Sequence, residues 1–160
     1  MQRRDFLRTA ALGAAGSAAL AAPAVAAGDP KVKWRWTSSY PRNLTSSYDA
    51  CITFMERIRP LTDGGFDVQL FGPGELVPPL DVLDAVQNGT VEAGYTATYF
   101  YIGKDPTFVM ATGLPFGMNT RQMVAWMRKG GGRELFQEFM DGFNIHYTPM
   151  GLTGAQMGGW

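Results

Sequence analysis

Two groups of polar side chains follow predicted strands and could contact a small ligand. Tyr99 and Tyr101 come shortly after a third predicted strand, and Gln156 stands among glycines after a fourth. A tyrosine hydroxyl can donate a hydrogen bond to a carboxylate or carbonyl oxygen, and a glutamine can both donate to a ligand and offer its carbonyl oxygen to a hard cation. Composition alone favours a plainer interpretation, in which the tyrosines pack at the sheet edge and Gln156 is a solvated loop residue.

Side chains suited to covalent or metal chemistry are sparse. His146 is the single histidine and stands in an apolar, strand-like segment, while the single Cys51 stands on the apolar side of a predicted helix. Both are therefore predicted to be packed residues, and no His and Cys pair has the spacing of metal ligands. The glycines at 130–132 do not form a phosphate-binding loop, and there is no nucleophile elbow. The sequence thus lacks the parts that a hydrolase or a redox enzyme needs.

The first 27 residues have the pattern of a twin-arginine export signal. Arg3 and Arg4 precede a run of mostly small and apolar residues, and Ala-Val-Ala at 24–26 is typical of a signal peptidase site. A membrane anchor is the less favoured alternative, because the run is rich in Ala and Gly and falls short of the ~20 strongly apolar residues of a span. We therefore predict that residues 1–27 are removed on export to the periplasm.

Charge excludes some partners of the remaining chain. Residues 28–160 contain 11 basic and 13 acidic residues, a net charge of about −2. This balance predicts no basic surface for nucleic acid or for anionic lipid. Because one cysteine cannot form an intrachain disulfide, stability must come from a packed core.

Periodicity predicts alternating strands and helices. Period-two patterns predict strands over residues 31–37, 66–71 and 91–96, and helical spacing predicts helices over 46–61 and 78–89. The order β-α-β-α-β predicts an α/β fold with a mostly parallel sheet flanked by helices.

The second half is predicted to add two helices and one strand. The helices cover residues 121–129, after a cap at Asn119, and 134–140, and the strand covers 144–150. The chain then ends in a glycine-rich, apolar segment, whereas natural domains tend to end in polar residues. We therefore expect a fragment of a longer protein.

Several segments resemble the first lobe of a solute-binding protein of TRAP transporters. The matching segments cover residues 33–39, 61–66, 71–78, 83–92, 96–106 and 153–160. The resemblance extends over nearly all of residues 31–160 and is greatest to the branch that binds 2-oxo acids such as pyruvate. The stretches at 82–92 and 153–160 are specific to that branch.

The resemblance implies a periplasmic-binding-protein-like fold whose cleft closes on a small carboxylate between two lobes. Residues 28–160 would be the first, incomplete α/β lobe, and the second lobe is largely missing. Gln156 matches a position that contacts both the substrate and a cation, either sodium or calcium, and Tyr101 and Tyr99 match aromatic residues that line the cleft. The arginine that holds the carboxylate, the later metal ligands and the helix that forms homodimers would all follow Trp160.

Three functions are compatible with these features. The first is a non-enzymatic periplasmic solute-binding protein that delivers a small carboxylate, a 2-oxo acid above all, to TRAP membrane subunits. The second is a twin-arginine-exported periplasmic enzyme whose catalytic part lies beyond residue 160. The third is a structural or interaction domain of the cell envelope.

Overall fold

A parallel sheet of three strands lies at the centre of the computed structural model, which describes residues 32–151. The strands are β1 (Val32–Ser38), β2 (Phe66–Phe71) and β3 (Ala93–Tyr95), and β1 lies between the other two. Both pairings are parallel. The predicted parallel sheet is therefore confirmed, and all three strands end at one edge of it.

The third strand is shorter than its sequence pattern predicts, because its first residues bond elsewhere. The backbone N–H groups of Thr90 and Val91 both donate to the carbonyl oxygen of Ala85, at 2.8 and 3.3 Å. This bonding closes the turn after the preceding helix and leaves only Ala93–Tyr95 to pair with β1.

The helices that connect the strands are α1 (Thr45–Leu61) and α2 (Val82–Gln87). Helix α1 matches its prediction within one residue, but Leu61, which belongs to its apolar pattern, is 79% exposed. Helix α2 begins four residues later than predicted, since residues 78–81 form a turn in which the Asp81 N–H donates to the Pro78 carbonyl oxygen. Its buried residues are Val82, Leu83 and Ala85.

Two 3₁₀ helices, Thr98–Tyr101 and Pro106–Ala111, lead to α3 (Thr120–Lys129) and α4 (Gly132–Asp141). The predicted cap at Asn119 is confirmed as a capping box with Gln122. The glycine run between the helices is a packing requirement: a Cβ on Gly132 would lie 2.5 Å from the indole ring of Trp126. A buried cluster then joins the two halves of the chain through Leu83, Tyr101, Phe108, Phe136 and Met140.

The strand predicted over residues 144–150 does not form. The side chain of Gln137 on α4 takes the backbone groups that a neighbouring strand would need: its Nε2 donates to the Ile145 carbonyl oxygen at 2.9 Å, and its Oε1 accepts from the Tyr147 N–H at 2.7 Å. His146 lies between these two residues and is exposed, so its prediction as a packed residue is wrong.

Between residues 32 and 151, no helix is long and apolar enough to span a bilayer.

A side chain extends the pairing of β1 with β3 by one residue. The carboxylate of Glu92, directly before β3, accepts from the Arg35 backbone N–H at 2.7 Å and from the Arg35 guanidinium at 3.0 and 2.5 Å. Because the guanidinium and the backbone N–H both bond the charged form, they lower the pKa of Glu92 to about 2.

This pairing predicts an acid-sensitive contribution to stability. The folded-state pKa lies below the ordinary value of a glutamate, so the stabilisation is complete above that ordinary value and is lost as the pH falls towards about 2. Glu92→Gln should remove this part of the pH dependence, measured as the urea midpoint of the complete gene product between about pH 6 and about pH 2.5. Glu56→Gln, at an exposed position of α1, should keep the wild-type profile. Identical acid profiles for Glu92→Gln and wild type would contradict this account.

Candidate functional site

The carboxyl ends of β1 and β3 lie side by side. Ser38 pairs with Tyr95, and the next backbone N–H, that of Ser39, donates to the Tyr95 carbonyl oxygen at 2.9 Å. The loops after both strands therefore start from one point of the sheet edge. This is the edge at which open α/β sheets place their ligands.

A chain of hydroxyl groups ties these loops together. The Ser39 Oγ lies 2.6 Å from the Pro79 carbonyl oxygen and 2.7 Å from Thr96 Oγ1. The Thr96 hydroxyl lies 3.1 Å from the hydroxyl of Tyr101, which accepts from the Leu83 N–H at 3.1 Å.

The two ends of this chain determine the direction of every proton in it. The Pro79 carbonyl can only accept, so the one proton of Ser39 goes to it and Thr96 donates to Ser39. Tyr101 then donates to Thr96, and it accepts at Leu83. Leu83 is in the first turn of α2, where backbone N–H groups lack helical acceptors, and Asp81 provides no side-chain cap. Tyr101 therefore supplies the acceptor that the helix itself does not.

The two tyrosines singled out in the sequence have different environments. Tyr101 is 3% exposed and packs against Phe108, so its hydroxyl is used inside the molecule. Tyr99 is 45% exposed and its ring contacts Phe100 at a centroid distance of 4.6 Å. Contact of either residue with a ligand stays a prediction.

Two further tyrosines, Tyr40 and Tyr95, belong to this region and were missed in the sequence. Their ring centroids are 5.3 Å apart, and the ring of Tyr40 also lies 6.2 Å from that of Phe100. Burial, and then the proximity of Tyr99, Tyr95 and Tyr101, raise the pKa of Tyr40 to about 12. Burial is also the main cause that raises the pKa of Tyr95. The signal that pointed to Tyr99, an aromatic residue at a strand's carboxyl end, applies equally to both.

The chain returns to this edge at Gly151, the last residue described. Gly151 has φ +68°, and a Cβ there would lie 2.5 Å from the Tyr95 hydroxyl oxygen. Only glycine combines this backbone conformation with so close an approach. Gln156 lies outside the described residues.

A second polar cluster joins the loops after β1 and β2. Glu75 accepts from the Gly72 N–H at 3.0 Å and from Arg42 at 3.1 and 3.2 Å. The Gly72 backbone N–H is the main cause that lowers the pKa of Glu75, followed by Arg42. The guanidinium of Arg42 also lies 5.7 Å from the ring centroid of Tyr48. Its charge is thus partnered within the chain.

The described residues offer little for metal or thiol chemistry. Within residues 32–151, no group of three His, Cys, Asp or Glu side chains could hold a metal ion. Cys51 is fully buried, and burial raises the pKa of its thiol to about 12. This burial confirms the prediction that Cys51 is a packed residue. A buried thiol of high pKa is also a poor nucleophile.

Comparison with known proteins gives one family and several solved relatives. Residues 37–154 match the profile of the DctP family, described as bacterial extracellular solute-binding protein, family 7. A "Monocarboxylate 2-oxoacid-binding periplasmic protein" from Nostoc sp. (strain PCC 7120) is 46% identical over 165 residues, which cover 100% of this chain and 45% of that protein. The chain therefore spans less than half the length of this curated relative.

Two solved TRAP solute-binding proteins have the same fold. One, from Bordetella bronchiseptica RB50, is a dimer with calcium and picolinate in one site; it is 41% identical with a TM-score of 0.71, over 73% of this chain and 35% of that one. The other, from Pseudoalteromonas atlantica T6c, contains sodium and pyruvate; it is 28% identical with a TM-score of 0.66, over 71% and 34%. The predicted fold class is confirmed.

The hydroxyl chain predicts that Tyr101 stabilises the fold. Tyr101→Phe would leave the Leu83 N–H buried without an acceptor and should lower the free energy of unfolding by about 1–3 kcal/mol. The measurement is urea unfolding of the complete gene product. Tyr99→Phe removes a hydroxyl that has no hydrogen bond among the described residues, and should change stability by less than about 0.5 kcal/mol. Equal stability of the two variants would contradict the role assigned to Tyr101.

Proposed function

From the premise that this chain belongs to the bacterial extracellular solute-binding proteins, family 7, we propose that it is the solute-binding component of a TRAP transporter and captures a 2-oxo acid. The observation that carries the proposal is the meeting of the loops after β1 and β3 at one sheet edge, where Gly151, the last residue described, also lies beside Tyr95. The names of the Nostoc and Pseudoalteromonas relatives support a 2-oxo acid, and the picolinate of the Bordetella relative supports a small carboxylate more broadly.

Membership of this family bears on whether the protein catalyses a reaction. The family and its relatives bind solutes and are not enzymes, as predicted. The alternative of an exported enzyme is therefore set aside. The resemblance to TRAP solute-binding proteins is confirmed by the same matches.

The edge of the sheet is suited to holding a small polar anion. Tyr40 keeps its proton at neutral pH because its pKa is about 12, so its hydroxyl can donate to a carboxylate or keto oxygen. A ligand that contacts this edge and a second lobe binds the closed form more tightly than the open form and shifts the equilibrium towards closure. The closed form would then deliver the solute to the membrane subunits.

A cation, sodium or calcium, would be held beside the ligand by Gln156. A glutamine carbonyl oxygen is a suitable ligand for a hard cation. The Bordetella and Pseudoalteromonas relatives contain calcium and sodium, respectively. Tyr99 and Tyr101 would line the same cleft, with the hydroxyl of Tyr101 already committed to Thr96 and Leu83.

The proposal places the mature protein in the periplasm. Residues 1–27 lie outside the described residues and would act as a twin-arginine signal that is removed on export. The family description as extracellular solute-binding proteins supports an exported location.

Pyruvate should raise the melting temperature of the complete gene product in buffer that contains sodium and calcium. A ligand that binds only the native state, at 100 times its Kd, adds about 2.7 kcal/mol to the free energy of unfolding. Differential scanning fluorimetry with pyruvate, longer 2-oxo acids and matched sugars provides the measurement. The sugars should give no shift. Absence of a shift with every small carboxylate would rule out the proposed ligand class.

Gln156→Ala should weaken pyruvate binding by about 1–3 kcal/mol, because in the proposed site it removes a polar partner of both ligand and cation. Isothermal titration calorimetry of the complete gene product measures the change. Gln69→Ala, at an exposed position of β2, is the matched control and should bind like wild type. Wild-type affinity of Gln156→Ala would place this side chain outside the site.

A further inference from the structure

The geometry points to Tyr40 as a residue of this lobe that donates a hydrogen bond to the ligand, whereas the hydroxyl of Tyr101 serves the stability of the fold. The inference rests on the proposed function, because it concerns the same edge of the sheet and an anionic ligand. It assigns separate roles to tyrosines that the sequence does not distinguish.

The backbone of Tyr40 is held in place before any ligand binds. Its N–H donates to Ser38 Oγ at 3.0 Å, and the Ser38 hydroxyl, which is fully buried, donates to the Tyr40 carbonyl oxygen at 3.1 Å. The preceding residue, Ser39, is held by Pro79 and Thr96. A side chain on such a loop loses little conformational freedom when it contacts a ligand.

Among the described residues the hydroxyl of Tyr40 has no partner, unlike that of Tyr101. Its half-buried ring packs on Tyr95 and Phe100, but its hydroxyl forms no hydrogen bond with any residue from 32 to 151. The Tyr101 hydroxyl, by contrast, has one donor and one acceptor within the chain. A ligand that bonded Tyr101 would have to replace one of these partners.

The surroundings of Tyr40 suit a negatively charged oxygen. The ionisable side chains that interact with the Tyr40 hydroxyl are those of Tyr99, Tyr95 and Tyr101, and no carboxylate is among these described neighbours. An incoming carboxylate would therefore meet hydroxyl groups, which can donate hydrogen bonds to it. A hydrogen bond to a charged group is also stronger than one between neutral groups.

Tyr101 supports the loop that precedes Tyr40. The hydroxyl chain from Leu83 through Tyr101 and Thr96 ends on Ser39 and Pro79, so loss of the Tyr101 hydroxyl loosens the loop that carries Tyr40. Its main effect is therefore on the stability of the apo protein.

Titration of the complete gene product with pyruvate, in sodium- and calcium-containing buffer, tests this assignment. Tyr40→Phe should weaken binding by about tenfold or more while the apo melting temperature stays at the wild-type value. Tyr101→Phe should lower the apo melting temperature instead. Tyr147→Phe removes a hydroxyl near α4, where the ring packs on Phe136, and should bind like wild type.

The outcomes separate the inference from the proposed function. If wild type binds pyruvate and Tyr40→Phe binds it equally well, the role of Tyr40 is wrong and the function stands. If wild type binds no 2-oxo acid, both fall together.

A second variant covers the case in which Tyr40→Phe does not fold. Replacement of Tyr40 by 3,5-difluorotyrosine keeps the ring and makes its hydroxyl a stronger donor, and titration at a pH below the pKa of the fluorinated phenol keeps it protonated. It should bind pyruvate more tightly than wild type, and unchanged affinity would overturn the assignment.

Discussion

The central position of β1 between two parallel partners is the constraint on which the rest of the structure depends. Because parallel strands end at a common edge, the pairing of Ser38 with Tyr95 brings together loops that are more than fifty residues apart in the chain. This pairing sets Tyr40 and Thr96 on neighbouring loops, and Gly151 lies beside Tyr95 at the same edge.

Hydrogen bonds of fixed direction turn this edge into a rigid structure. The chain that starts at the Leu83 N–H and ends at the Pro79 carbonyl has a donor at one end and an acceptor at the other, so every hydroxyl between them has one role. A side chain in such a network is costly to redirect towards a ligand. Tyr40 stands outside this network, and Ser38 holds its backbone through two hydrogen bonds.

The same arrangement fits a protein that binds and releases its ligand without covalent chemistry. Neutral hydroxyl donors hold an anion through several modest hydrogen bonds, and their geometry is prepared before binding. Arg42, whose charge Glu75 partners, and Cys51, whose thiol is buried, both serve the structure of the described residues.

The sequence by itself determined the elements with strong local signals and the family. Such signals depend only on residues close together in the chain, so they could be predicted without the fold. They are the period of two in β1 and β2, the helical spacing of α1 and the cap at Asn119. Tertiary structure decided the rest, because it depends on partners distant in the chain. Gln137 takes the backbone bonds of the segment at 144–150 and prevents a strand, and the depth of burial separates Tyr101 from Tyr40, which no local pattern distinguishes.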